Sequence, residues 1–142
     1  MLWVKTFFGI LFQTILLGIF LYLPALTLNW SDAFLLLTIH FLMTILASAY
    51  LLIVKPESIE ARMNYDSKTQ PKEDRLATAL MFSAIFVGLS LAPIDIFHLN
   101  LSSSFEGSIK NIGLAIYIIG MLLFMASINA NEFAETTVNI QE

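Results

Sequence analysis

The sequence predicts an all-α integral membrane bundle of four transmembrane helices, and three observations predict it. Hydrophobic residues make up 58% of the 142 residues and charged residues only 13%, about half the roughly 25% found in soluble proteins. The apolar residues fall into four runs, each close to the about 20 residues that a helix needs to cross the hydrocarbon core. Five of the seven Lys and Arg residues lie in or beside a single loop. A globule of this length does not bury so much apolar surface. The lipid bilayer is the solvent that the composition requires.

The first span is expected over about residues 6–23, interrupted only by Gln13, Thr14 and two glycines and ended by Pro24. Lys5 sits where a signal peptide would carry its charge, but the apolar run exceeds the roughly 7–15 residues of a signal core, which favours a retained span. The second span covers about residues 33–54 and ends at Lys55-Pro56. The third starts after Asp74-Arg75 and covers about residues 76–91, where Pro93 and Asp95 weaken it. Ile94, Ile96 and Phe97 offer a kinked or interfacial extension. The fourth covers about residues 109–128, with Lys110 at its start in position to snorkel.

Orientation follows from the basic residues. Lys55, Arg62, Lys68, Lys72 and Arg75 gather between spans two and three, while the loops 24–32 and 92–108 hold no Lys or Arg. The positive-inside rule puts the middle loop in the cytoplasm. Lys5, two spans away, agrees. Both termini are then expected to be cytoplasmic, and the polar tail 129–142 faces the cytosol. In a bacterium the membrane would be the cytoplasmic (inner) one. Trp3, Tyr22 and Trp30 lie near span ends, as interface anchors do.

Composition also excludes chemistry. Net charge is −4 and no basic patch is present, so nucleic acid is not an expected partner. There is no cysteine, which removes disulfides, thiolate nucleophiles and zinc–thiolate sites. His40 and His98 are too few and too far apart for a metal site. No phosphate cradle, nucleophile elbow or usefully spaced carboxylate pair occurs, and no catalytic residue is assigned.

Four features remain as candidates. Ala84, Gly88 and Ala92 recur every four residues on one face of span three, where small residues let another backbone approach. They serve either packing within the chain or a homo-oligomer. His40 lies inside span two, and an intramembrane ionisable residue is a functional candidate; no acidic partner occurs in any apolar run. Gln13 is expected to make a helix–helix hydrogen bond. Ser58, Ile59, Arg62 and Met63 fit an amphipathic turn at the interface after Pro56, within a loop of balanced charge. The triplet Asn100–Ser102 fits a glycosylation sequon.

The tail "NEFAETTVNIQE" resembles a segment of the isoprenylcysteine carboxyl methyltransferase family, integral membrane enzymes of bacterial type that use S-adenosylmethionine. Asn131, Phe133, Thr137, Val138, Ile140, Gln141 and Glu142 carry the match, and Asn139 stands where the family usually has Arg. "KPESIEARM" resembles the family's "D-P-E-L-L-x-E-R-M" at Pro56, Glu57, Arg62 and Met63. "PKEDR" resembles the Lys/Asp-Arg stretch that opens its third span, and "LPALTLNWSDAF" its first hairpin. The order of these stretches spans essentially the whole chain.

The resemblance implies methyl transfer from S-adenosylmethionine to a lipid-like or prenylated acceptor at the cytoplasmic face. It implies a cofactor-side position for Asn131 and Gln141. The family's "G-P-Y-x-x-x-R-H-P-x-Y-x-G" stretch does not occur in these residues. The chain is therefore expected to be the N-terminal portion of such an enzyme, leading toward a missing catalytic half and inactive alone. Two other readings stand beside it. One is a non-catalytic four-helix module that pairs with a partner protein. The other is a small transporter, which the absence of an acidic residue within any span disfavours.

Overall fold

The computed structural model describes residues 1–63, 72–101 and 107–130. Five α-helices form: α1 Leu2–Ala25, α2 Ser31–Val54, α3 Pro56–Met63, α4 Lys72–Ile94 and α5 Gly107–Ala130. α4 runs on through a wider π-type turn, Asp95–Leu99. α1, α2, α4 with its extension, and α5 are each long and apolar enough to cross a membrane. The chain is an all-helical integral membrane protein.

Packing places α1 between α4 and α2, and α5 against α2. Contacts along the helices give their directions. Phe20 stacks on Phe86 with ring centroids 4.3 Å apart, and His98 Nε2 meets the Pro24 carbonyl at 2.7 Å, so α1 and α4 run the same way. Asp32 pairs with Lys110 at 2.6 Å, and Lys55 Nζ donates to the Asn129 carbonyl at 2.8 Å. α2 and α5 therefore also share a direction, opposite to that of α1. One end of the bundle gathers Leu2, α3 and Ile128; the other gathers Trp30, Asp32, Phe97 and Lys110.

Pro24 does not end α1 but lies within its last turn. A proline inside a helix removes a donor and frees the carbonyl four residues back, here that of Phe20. In hydrocarbon such a group needs another partner. The Ser90 hydroxyl of α4 supplies it, donating to Phe20 O at 3.3 Å. The helix closes two residues after the proline, at Leu26, whose backbone is left-handed (φ 53°) and whose N–H reaches Leu23 O. Pro93 is likewise carried inside α4 and is fully buried. The chain then continues to Leu99, stopped by Asn100 in the left-handed region that Asn tolerates. Asp95 closes this turn, accepting from the Leu101 N–H at 2.8 Å.

The interfacial turn expected at Ser58–Met63 is a full short helix. Proline at its first position suits a helix start, since the missing N–H would have had no partner there. Ile59 packs with Leu51 and Leu52, and Leu2 and Ile128 lie against them. This cluster pins α3 across the ends of α1, α2 and α5. The Thr6 hydroxyl bonds back to Leu2 O at 3.1 Å and lies 3.7 Å from Met63 Sδ.

Candidate functional site

A polar chain crosses three helices at mid-membrane depth. His40 is buried in α2, with 7% of its surface exposed. Its Nδ1 lies 2.6 Å from the Tyr117 hydroxyl of α5, and its Nε2 lies 3.5 Å from Nε2 of Gln13 in α1. At about 1.5 Å rise per residue, each residue stands roughly 14–17 Å from the nearer end of its own helix. That is about half the roughly 30 Å hydrocarbon thickness. One turn along α2 from His40, Thr44 Oγ1 is buried without a hydrogen-bond partner among the described residues.

Imidazole and phenol can each donate or accept, so the pair shares one proton along a short bond. If the Tyr117 hydroxyl donates to Nδ1, then Nε2–H points toward Gln13, and an amide turned with its oxygen inward accepts it. The arrangement fixes the imidazole and ties α5 to α2. It holds no carboxylate among the described residues. Among the described residues, no group of three or more His, Cys, Asp or Glu could hold a metal ion.

Sequence reasoning found His40 and Gln13 but not Tyr117. Depth could have found it. His40 lies nine residues into α2 and Tyr117 ten residues into α5. A tyrosine hydroxyl at that depth needs a partner.

The other candidates lie elsewhere. Ala84, Gly88 and Ala92 are exposed in α4. A Cβ at Gly88 would meet nothing within 4 Å, so the described helices do not pack on this stripe. α4 leans on α1 through Phe86 and Ser90, toward its far end, and the stripe is left uncovered. Asn131 and Gln141 lie outside the described residues. So does the sequon beyond Leu101.

At the end that carries α3, the head of one segment bearing the family resemblance meets the last turn of α5. Lys55, which leads into the 56–63 segment, donates to the carbonyl of Asn129, where the tail begins. A cation on the last carbonyls of α5 also complements the helix dipole. Ser58 Oγ is buried beside this junction without a hydrogen-bond partner among the described residues. Thr6, Lys55 and Ser58 meet at this junction, and Lys5, Glu57, Glu60 and residues 72–75 lie at the same end of the bundle. A cationic cofactor with an adenine and an amino-acid end needs several polar groups around one cavity. No family model matches the chain, and neither the curated proteins nor the solved structures contain a match.

Proposed function

We propose that this chain is the membrane-embedded, N-terminal part of an isoprenylcysteine carboxyl methyltransferase-like enzyme. It would act in methyl transfer from S-adenosylmethionine to a lipid-like or prenylated acceptor. The supporting observation is the Lys55–Asn129 bond at 2.8 Å. It brings Lys55, at the head of "KPESIEARM", to Asn129 in the last turn of α5, two residues before "NEFAETTVNIQE" begins. The proposed orientation puts this end of the bundle in the cytoplasm, because Lys55, Lys72 and Arg75 lie there.

On this reading the described helices anchor and position, and the cofactor contacts come from the tail and from residues beyond it. Asn131 and Gln141 are the proposed contributions of the tail. Joining the chain to the C-terminal portion of a family member tests the reading. Transfer of labelled methyl from S-adenosylmethionine to a prenylated cysteine supports it; a folded, inserted fusion without transfer sinks it.

A second reading is favoured by a different observation. α5 buries no residue, and the small-residue stripe of α4 is open. A non-catalytic module that pairs with a partner protein through these faces accounts for them. Co-purification with one defined membrane protein, together with failure of the fusion assay, would select it.

A further inference from the structure

Gln13 is a polar side chain in the middle of a span that the fold leaves incompletely satisfied and open to the bundle's outer surface. It is exposed on α1. Among the described residues its amide has one polar neighbour, His40 Nε2 at 3.5 Å, a long contact for a hydrogen bond. Whichever way the amide is turned, one of its ends meets nothing. Lipid headgroups do not satisfy it, because they begin roughly 15 Å away on either side. Hydrocarbon does not satisfy it either. Gly9 lies one turn below on the same side of α1, is exposed, and a Cβ there would meet nothing within 4 Å.

We propose that α1 is the contact face of a homodimer in the bilayer, with Gln13 paired to the partner's Gln13 across a two-fold axis along the membrane normal. A primary amide carries a donor end and an acceptor end, so two of them satisfy each other. A two-fold interface brings like residues together. Copies inserted in the same direction hold residue 13 at the same depth without further adjustment. Gly9 lets the two α1 backbones approach closely, as small residues do in membrane helix pairs. The Ala84–Gly88–Ala92 stripe also offers close approach, but it holds no unsatisfied polar group. The proposal uses no residue of the tail and stands apart from the methyltransferase reading.

Energy transfer between labelled copies of the full chain in phosphatidylcholine vesicles, over a range of protein-to-lipid ratios, tests it. Wild type should dimerise. Gln13→Leu should weaken dimerisation about tenfold, the scale of one interhelical hydrogen bond in a membrane. Gln13→Asn, which keeps the amide, should retain most of it. Gly9→Ile leaves the His40 contact intact and should also weaken the dimer, whereas Gly88→Ile should not. Circular dichroism confirms that each variant is folded; Gln13→Leu makes the span more apolar and does not hinder insertion. A monomeric wild type overturns the proposal, as does a dimer indifferent to Gln13→Leu or one that depends on Gly88.

Discussion

The Ser90 hydroxyl donates to the Phe20 carbonyl at 3.3 Å, and that carbonyl is the one Pro24 leaves without its helical donor. A proline in α1 and a serine in α4 are thus two halves of one device. It lets α1 carry its proline through the last turn and fixes where α4 lies along it.

Ser90→Ala should destabilise the protein by about 0.5–1.5 kcal/mol, the range of interhelical hydrogen bonds in membranes. In a Pro24→Ala background the helical N–H returns to the carbonyl, so the same substitution should cost close to nothing. A double-mutant cycle on unfolding free energies in bicelles measures the coupling. Equal costs in both backgrounds would show that the two residues act independently.

Tyr117→Phe removes the hydroxyl that meets His40 and leaves the buried imidazole one partner short. It should cost about 1–2 kcal/mol and loosen α5, which buries no residue of its own. His40→Leu with Tyr117→Phe should cost less than the sum of the two singles. The same unfolding assay reads both, and amide exchange along α5 should rise in Tyr117→Phe ahead of α1 and α2.

The Asp32–Lys110 pair is shorter than most contacts in the molecule, at 2.6 Å, yet both side chains are about half exposed (51% and 52%). Water and salt screen such a pair, so Lys110→Gln should cost no more than about 1 kcal/mol. The loss should shrink further at about 1 M salt, where the Debye length is roughly 3 Å. A larger, salt-insensitive loss would mean that the pair is dehydrated in the membrane.

Orientation has a direct measurement, because the chain contains no cysteine. Asn29 and Glu60 are both exposed, at opposite ends of the bundle. In intact cells a membrane-impermeant thiol reagent should label Asn29→Cys and should label Glu60→Cys only after lysis. The reverse pattern would invert the proposed topology.

Much of the fold is legible in the sequence because span length and apolarity are one-dimensional quantities. The four helices extend two to four residues beyond the apolar runs at their starts, as Ser31 and Lys72 do. Polar residues there still carry helical backbone through the interface. Pro24 misled the boundary reading for a physical reason, whereas the extension past Pro93 through Ile94, Ile96 and Phe97 is as the sequence suggests. A proline ends a helix when nothing else can bind the carbonyl it frees, and Ser90, some seventy residues away, answers for Pro24. The site is half legible. His40 and Gln13 stand out as polar residues in apolar runs, whereas Tyr117 hides because tyrosine is apolar in bulk and is ordinary at span ends. Small residues on α4 show that spacing reveals a face but not what meets it.

The central proposal is that this chain serves as the membrane part of a methyltransferase-like enzyme and does not hold S-adenosylmethionine by itself. Calorimetric titration of S-adenosylmethionine into the purified chain in nanodiscs, alone and joined to the C-terminal portion of a family member, tests it most directly. The account predicts no heat of binding for the chain alone, one-to-one binding for the joined protein, and weaker binding when Asn131 and Gln141 are both replaced by Ala. One-to-one binding by the chain alone, or none by a folded joined protein, would contradict it.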